Sequence, residues 1–393
     1  MTGSSHVIVV GARCAGAATA RLLAAQGLDV LVLDRAALPS DTLSTHGLAR
    51  GGVVQLSRWG LLDDLHATGA PAIREVAFHL GGTAVTKTVK DRAGVDLLMA
   101  PRRYVLDGLL LDAALAAGAR AETGVTVTGV RRERGRVVGV TARSRGIERV
   151  LRARHVVGAD GLRSTTASLF GATTRASFTA DVSLFYAYVA RPDWRAFEFH
   201  LAPGAFAGVF PTHDGEACVW LSRPTRMLSP VRHAGGQRAE AWTAMLEQVA
   251  PDLAARVRTG LVTSPVRGCI APPNHVRRAF GPGWSLVGDA GYHRDPITGH
   301  GITDAFRDAE LLAEALGATL GEGVPEHAAL AGYEHQRDRA LAATFAITQA
   351  LSAFPAPTRF AELQIQLGED LEREATELAS RPAPAGLRAA VAA

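Results

Sequence analysis

Cysteine is scarce in this sequence, with only Cys14, Cys218 and Cys269 among 393 residues. The three lie far apart and show no paired spacing. They therefore fit neither a disulfide framework nor a zinc site, and we expect no bound metal. This cysteine usage is typical of a protein that stays in a reducing compartment, so we expect a cytoplasmic location.

The sequence also has few lysines, no long apolar run and only a small excess of one charge. Lys87 and Lys90 are the only lysines, and 42 basic residues against 38 acidic ones give a formal charge of +4. A small, dispersed excess does not indicate nucleic-acid binding. The sequence contains neither a signal-peptide pattern nor about 18 consecutive apolar residues, so we expect no stable membrane insertion. At roughly 150 residues per domain, the length predicts two or three domains.

The first motif combines a strand, a glycine turn, a helix and a second strand. An apolar run at residues 6–10 precedes Gly11, Ala12, Arg13, Cys14, Ala15 and Gly16, which are followed by a helical pattern at 17–26 and a strand pattern ending at Asp34. This order is the context that a dinucleotide-binding fingerprint requires, with Asp34 placed to accept hydrogen bonds from a ribose. Arg13 replaces the middle glycine, so its side chain must point away or help to bind phosphate. A βαβ unit without a ligand is the alternative.

Two further strand-to-turn segments follow in the chain. Residues 156–164 form an apolar strand that ends in Asp160, Gly161 and, three residues on, Ser164. Residues 284–291 form another strand that leads into Gly288 and Asp289, and residues 295–303 precede a helical run at 304–316. Glycine and aspartate favour turns for local reasons, so each segment alone indicates little. The order of all three is far more specific.

Together these motifs resemble the FAD-dependent monooxygenases of the aromatic-hydroxylase class, which have the glutathione-reductase type of FAD fold. The resemblance covers most of residues 6–316 and implies an α/β fold: a Rossmann-like FAD-binding domain (GR2 type), an inserted antiparallel β-sheet substrate domain and a C-terminal helical segment. We expect the FAD domain at 1–72, 102–170 and 271–330, and the substrate domain at 73–101 and 171–270. A helical region with a loose tail is expected at 331–393.

The resemblance also implies which residues contact the cofactor. The first motif would hold the ADP half of FAD, the third would place Asp289 on the ribityl and pyrophosphate region, and Arg103, before a Leu-Asp pair, matches an arginine that contacts FAD in relatives. The implied FAD-binding residues are Gly11, Ala12, Arg13, Cys14, Ala15, Gly16, Asp34, Arg35, Ser44, Thr45, His46, Arg103, Val127, Asp160, Gly161, Ser164, Gly288, Asp289, Pro296, Gly299, His300, Gly301 and Ile302.

Some features resemble the geranylgeranyl-reductase and flavin-halogenase branch instead, namely residues 295–302 and the loop at 39–47. The Trp-x-Trp-x-Ile-Pro motif of flavin halogenases is absent. The only candidates for a halogenase lysine, Lys87 and Lys90, lie in an alternating segment that predicts a solvated strand. Halogenation is therefore disfavoured.

In the monooxygenases of this class, NAD(P)H reduces FAD, and a C4a-hydroperoxide formed with O2 oxygenates the substrate. Because the cofactor carries the chemistry, no fixed catalytic triad is expected. His46 and His293 are the candidate catalytic, proton-handling residues, together with Asp295, although a structural or cofactor-positioning role is favoured for each. His300 is expected where the helix of the third motif begins, against the flavin edge that gains negative charge.

Aromatic residues concentrate between residues 178 and 221. They predict a pocket for a small apolar or aromatic substrate, although each could simply be a core residue. No second fingerprint follows a mid-chain strand, so NAD(P)H would bind transiently over the flavin. The alternatives to a monooxygenase are a geranylgeranyl-reductase-like enzyme acting on a double bond and a non-catalytic flavin-binding protein; the oligomeric state stays open.

Overall fold

The computed structural model of the chain describes residues 5–191 and 193–387. Its helices are α1 (Cys14–Ala25), α2 (Arg50–Arg58), α3 (Leu62–Ala67), α4 (Arg103–Ala116), α5 (Thr165–Phe170), α6 (Ser229–His233), α7 (Arg238–Glu247), α8 (Pro251–Thr259), α9 (Gly301–Leu320), α10 (Glu326–Ser352) and α11 (Pro357–Ser380). Its strands are β1 (Ser5–Val10), β2 (Val30–Asp34), β3 (Glu75–Leu80), β4 (Thr83–Thr88), β5 (Arg120–Thr123), β6 (Thr126–Glu133), β7 (Arg136–Ser144), β8 (Ile147–Gly158), β9 (Thr174–Phe178), β10 (Val182–Ala190), β11 (Phe197–Ala202), β12 (Ala205–Pro211), β13 (Glu216–Pro224), β14 (Leu261–Val262), β15 (Arg267–Ile270), β16 (Asn274–Arg277), β17 (Phe280–Gly281), β18 (Trp284–Leu286) and β19 (Tyr292–His293).

The first sheet is built around parallel strands in the order β17-β18-β8-β1-β2-β5. Strand β1 pairs in parallel with β2 and β8, and β17 is an antiparallel edge strand. The first half of β8 instead pairs with β7, which pairs with β6, so these three strands form an antiparallel meander. The α/β class that the family resemblance implies is confirmed.

Both faces of this parallel sheet are covered, which explains why its strands are apolar at nearly every position. Val7 and Val9 of β1 pack in the cluster that contains the apolar faces of α1 and α9. Ile8 and Val10 point to the other side, where residues of the β6–β7 hairpin cover them. The carboxyl ends of β1, β2, β8 and β18 therefore meet at one edge of a rigid, fully packed layer.

The second sheet has the order β14-β10-β13-β12-β11-β3-β4, and β15 also pairs with β10. Its pairs are antiparallel, as predicted, except for β3 and β11, which run parallel with His79 opposite His200. No hairpin sets the direction of this pair, because the chain between β4 and β11 builds much of the first sheet before it returns. The sequence pattern predicted only antiparallel pairing, and for this pair the prediction was wrong.

Strand β10 shows how the second sheet is buried on both faces. Phe185, Ala187 and Val189 pack against helices α7 and α8, where Trp242 is fully buried. The alternate residues, including Tyr186 and Tyr188, belong to the cluster on the opposite face. Strands β9, β16 and β19 form a small third sheet, in which β16 pairs in antiparallel fashion with both β9 and β19.

The last three helices pack against both parts of the molecule. Helix α9 lies on α1, α10 packs on α9, and α11 packs on α2. The predicted loose tail differs from what is observed up to residue 387: Arg381 Nε is 3.1 Å from Glu310 Oε1, and Leu387 is buried in the α1 cluster. Residues 388–393 of that predicted tail lie outside the described residues. Within the described ranges, we find no helix with the length and apolar character needed to cross a membrane.

Candidate functional site

A cavity of about 1000 Å³ lies where the carboxyl ends of the parallel strands, the second sheet and the start of α9 come together. It contains most of the site residues predicted from the sequence. Those lining it are Gly11, Arg13, Cys14, Ala15, Asp34, Arg35, Ser44, Thr45, His46, Arg103, Val127, Asp160, Gly161, Asp289, His293, Pro296, Gly299, His300, Gly301 and Ile302. Four predicted residues, Ala12, Gly16, Ser164 and Gly288, are not among the residues that line the cavity.

The glycine turn after β1 is held by close backbone packing. Gly11 has φ +109°, and a Cβ on it would lie 2.3 Å from the carbonyl oxygen of Ala159. A Cβ on Gly16 would lie 1.8 Å from the carbonyl oxygen of Gly11. Gly16 therefore lets α1 approach the turn, so that the N-terminus of α1 faces the cavity, where a helix terminus favours an anion.

Asp34, at the end of β2, braces the same turn. Its Oδ2 accepts a hydrogen bond from the Ala12 N–H at 2.8 Å, and its Oδ1 accepts one from the Ala36 N–H at 2.8 Å. Asp34 also lines the cavity. A carboxylate oxygen has two lone pairs, so these bonds leave acceptor capacity toward a ribose hydroxyl.

Two arginines converge on one buried carboxylate beside this turn. Arg13 Nη1 is 2.9 Å from Asp107 Oδ2, and Arg103 Nη2 is 3.0 Å from Asp107 Oδ1. Arg13 also donates to the Ser40 carbonyl oxygen at 2.9 Å, so its side chain reaches the loop after β2 and leaves the glycine turn open. Two cations compensated by a single carboxylate leave net positive charge at the cavity wall, where a pyrophosphate would lie.

Cys14, the first residue of α1, is held against the Asp107 carboxylate. Its Sγ lies 3.1 Å from Asp107 Oδ1, and its backbone N–H donates to the same oxygen at 3.1 Å. Burial above all, together with this carboxylate, raises the pKa of the Cys14 thiol. The thiolate is the nucleophilic form, so burial and the neighbouring carboxylate disfavour a nucleophilic role for Cys14.

Asp160 and Ser164 organise the turn after β8. The Ser164 hydroxyl donates to Asp160 Oδ1 at 2.6 Å and, as the N-cap of α5, accepts from the Ala167 N–H at 2.9 Å. The Thr166 N–H donates to Asp160 Oδ2 at 2.9 Å. Ser164 thus positions Asp160, which lines the cavity while Ser164 does not.

The third motif forms the opposite end of the cavity. Asp289 follows β18 and is half-buried, and the loss of solvent around its carboxyl raises the pKa while His293 and Arg103 oppose that rise. After the short turn Pro296–Thr298, Gly299 has φ +62°, and His300 caps the start of α9. The glycine makes this left-handed turn accessible, so the first turn of α9 points its positive end into the cavity.

Four cavity-lining side chains carry buried polar atoms that have no partner among the described residues: His46 Nδ1, Arg294 Nε and Nη1, Asp295 Oδ2 and His300 Nδ1. Buried polar atoms in native proteins are nearly always satisfied. Unsatisfied atoms around this cavity therefore fit a site that a polar, planar ligand completes, as the ring system of FAD would. With the arginine pair and the two helix N-termini, the residues present fit FAD.

His46 is deeply enclosed. Its Nε2 is hydrogen-bonded to the Tyr188 hydroxyl, and the two rings are stacked with centroids 5.5 Å apart. Burial, together with the nearby Arg103 and Arg102, lowers the pKa of His46 well below its ordinary value. His46 is therefore an uncharged ring at neutral pH, which suits the positioning role better than that of a cationic acid.

His293, the other candidate, lies in β19 on the cavity wall. Its Nδ1 donates to the Pro273 carbonyl oxygen at 2.7 Å, so Nδ1 carries a proton and the orientation of the ring is fixed. That bond leaves Nε2 available for proton exchange. Among the described residues, the ring partners of the two histidines are the Tyr188 hydroxyl and the Pro273 carbonyl oxygen.

Several lining residues were not singled out as a site from the sequence. Tyr186 and Leu184 of β10, Cys269 and Ile270 of β15, and Tyr292 all face the cavity. Burial raises the pKa of Tyr186 to about 12, so its hydroxyl remains protonated and can donate a hydrogen bond. Alternation along β10 indicated a strand, but nothing in it distinguished a residue of the cavity wall from one of the core.

This geometry is that of an FAD-dependent oxidoreductase. The chain belongs to the family described as FAD binding domain, which it matches over residues 4–348. It is similar to the digeranylgeranylglycerophospholipid reductase of Methanocella arvoryzae, with 28% identity over 354 residues that cover 87% of this chain and 84% of the relative.

Solved structures share the fold over nearly the whole chain. The flavin-dependent brominase Bmp2 superposes with a TM-score of 0.81 at 18% identity, covering 99% of this chain and 98% of the other. The p-nitrophenol 4-monooxygenase PnpA of Pseudomonas putida gives a TM-score of 0.79 at 21% identity, covering 96% and 97%. The monooxygenase, halogenase and reductase branches named from the sequence are thus all represented among the neighbours.

Proposed function

We propose that this flavoprotein is a monooxygenase that uses NAD(P)H and O2 to oxygenate a small apolar or aromatic metabolite. The observation that supports it most is the cavity of about 1000 Å³ at the proposed flavin site. A substrate that binds beside FAD in this cavity would share the space with the cofactor, which favours a small molecule. The side of the cavity that β10, β15 and the segment after β15 form is lined by Leu184, Tyr186, Ile270, Pro272 and Pro273.

We assign the dinucleotide half of FAD to the turn after β1, with Asp34 on the ribose and the arginines Arg13 and Arg103 near the pyrophosphate. Asp289 and the start of α9 would hold the ribityl chain and flavin. When bound, FAD supplies hydride transfer and the activation of O2. The residues of the chain bind and orient it, exclude water and stabilise negative charge at the N-terminus of α9.

The apolar residues that line this side of the cavity would orient the substrate by their shape and would exclude water from it. Tyr186 offers a protonated hydroxyl in an otherwise apolar surface, which suits orientation of one polar group on the substrate. His293 and Asp295 are the groups on this side that could hold or move a proton. We further propose the predicted division into an FAD domain and a substrate domain, with NAD(P)H visiting the flavin transiently, because the described residues contain one parallel sheet of the dinucleotide-binding type.

The proposal is tested by following FAD reduction by NADH and NADPH and its reoxidation with O2 in rapid mixing, with a panel of small aromatic and apolar compounds. We expect a substrate to stimulate NAD(P)H oxidation and one atom of isotopically labelled O2 to appear in the product. A product that forms equally well without O2 would exclude monooxygenation.

A double-bond reductase is the second candidate, and the similarity to the Methanocella arvoryzae reductase supports it. In that reaction the protein would hold an isoprenoid double bond over the flavin and supply one proton, with Asp295 placed to do so. Anaerobic turnover of an isoprenoid alkene, with NAD(P)H or dithionite as reductant, distinguishes it. A bound flavin that no reductant alters would instead favour a non-catalytic flavin-binding protein.

A further inference from the structure

Helix α11 reaches the flavin end of the cavity through one side chain, Glu374. Its Oε2 lies 2.6 Å from His300 Nε2, and its Oε1 accepts a hydrogen bond from Arg307 Nη1 at 2.6 Å. Both partners belong to the start of α9, His300 as its N-cap and Arg307 within its second turn. A carboxylate from the last helix is therefore joined to the N-terminus of the helix that lies against the flavin.

The contact determines how His300 presents its ring. A carboxylate accepts hydrogen bonds and cannot donate them, so the short contact requires a proton on Nε2. The other nitrogen, Nδ1, is buried without a partner in the described residues, and His300 lines the cavity. The ring is thus fixed by Glu374 on one side and left open toward the cofactor on the other.

The surrounding charges favour an ionised Glu374. Although burial alone would act in the other direction, His300 and Arg307 lower the pKa of the Glu374 carboxyl. Asp304 Oδ1 lies 3.9 Å from His300 Nε2 and is itself paired with Arg307 and Arg294. The side chains of His300, Asp304 and Glu374 lie close enough together to surround a cation. The guanidinium groups of Arg307 and Arg294 already neutralise the two carboxylates, so the cluster does not require one. The remaining partner of Glu374 is His300.

We propose that Glu374 is a positioning residue that accepts the Nε2–H hydrogen bond of His300, fixes the ring with Nδ1 free at the cavity, and thereby raises the reduction potential of the bound flavin. With the proton held on Nε2, the ring presents Nδ1 as an acceptor, and an acceptor beside the flavin would stabilise an N–H group that the flavin gains on reduction. The inference rests on FAD binding alone, so it holds for either candidate reaction of the proposed function.

The test is the midpoint potential of the FAD-loaded protein, measured by spectroelectrochemical titration. Glu374→Gln keeps the size of the side chain and the bond from Arg307 but removes the charge. We expect it to disfavour reduction about tenfold, a shift of ~30 mV for a two-electron couple. Glu374→Asp, which is too short to reach His300, should shift the potential in the same direction.

Glu372→Gln is the matched control, because Glu372 lies on the same helix, carries the same charge and pairs with Arg50 of α2 at 2.9 Å. It should leave the potential unchanged. His300→Gln should lower the potential as much as Glu374→Gln does, and the double variant should lower it no further. Glu374 variants with the potential of the control would overturn the inference, whereas a wild-type chain that binds no FAD would instead exclude the proposed function.

Discussion

Arg13 donates from Nη1 to Asp107 Oδ2 at 2.9 Å, across 94 residues of chain. This bond explains how an arginine is tolerated in the glycine position of the fingerprint. The side chain turns away from the helix axis toward α4 and the loop at Ser40, and the close contact of Gly11 and Gly16 is left undisturbed. Asp107 consequently connects the first motif to the Arg103 segment, which the sequence showed only as two separate features.

We expect Asp107→Asn to destabilise the protein strongly. The Asp107 side chain is fully buried, and the substitution removes the carboxylate charge that pairs with both Arg13 and Arg103. Breaking one partner of a buried pair costs about 3–5 kcal/mol of unfolding free energy. Urea unfolding measures this, and Asp96→Asn, which removes an exposed pair with Arg74, should cost less than about 1 kcal/mol. Equal effects of the two variants would contradict the central role of Asp107.

A second prediction concerns the tightest backbone approach at the site. Gly16→Ala would place a methyl group 1.8 Å from the Gly11 carbonyl oxygen, which is backbone and cannot rotate away. We expect a loss of about 3 kcal/mol and loss of FAD, read from the visible flavin absorbance after gel filtration. Gly332→Ala is the control: it lies in α10 with open space around the new methyl group and should gain about 0.5–1 kcal/mol. FAD retained in full by Gly16→Ala would show that the turn is not the binding element.

The fingerprint could be predicted because its constraints are local. A β-branched strand, a glycine that adopts positive φ and a small residue where helix and strand touch all leave a mark within about 25 residues, as Gly11, Gly16 and Asp34 do. The three motifs also fall at the ends of adjacent strands, so their convergence follows from the topology of a parallel sheet.

The rest of the site depends on contacts that no local pattern records. Glu374 lies 74 residues from His300, on a helix whose sequence carries no motif. Tyr186 alternates with Phe185 and Ala187 in a strand that is buried on both faces, so periodicity cannot tell the face toward the cavity from the face toward α7. The parallel pairing of β3 with β11 was likewise invisible, because direction is set by the long connection and not by either strand.

The pH dependence of stability should contain a contribution from Asp295. Burial raises the pKa of its carboxyl from 3.8 to about 6. Because the folded state then holds the proton more tightly than the unfolded state, this contribution to stability is present below about pH 4 and is lost as pH rises to about 6. The whole loss amounts to about 3 kcal/mol, from 1.36 kcal/mol for each pKa unit.

Asp295→Asn should remove that loss, since an amide stays neutral and its oxygen can still accept the bond from the Ile297 N–H. In urea unfolding of the FAD-free protein, the variant should match the wild type near pH 4 and exceed it at pH 7. The exposed Asp63→Asn variant should follow the wild-type curve at both pH values. A constant difference between Asp295→Asn and wild type from pH 4 to 7 would contradict the raised pKa.

The attachment of α11 to the second sheet should depend on Phe360. Its ring is 1% exposed, with its centroid 5.2 Å from that of Phe206 and 5.9 Å from that of Phe354. Phe360→Ala removes a large buried ring and leaves a cavity, so we expect a loss of about 3–5 kcal/mol in unfolding free energy. Ile365→Ala, on the same helix and with Ile365 64% exposed, should change the unfolding free energy by less than about 0.5 kcal/mol.

Because α11 also carries Glu374, the Phe360 variant should lose the wild-type flavin potential together with its stability, and the Ile365 variant should keep both. A Phe360 variant that is destabilised but keeps the wild-type potential would mean that Glu374 reaches His300 without the docking of this end of the helix.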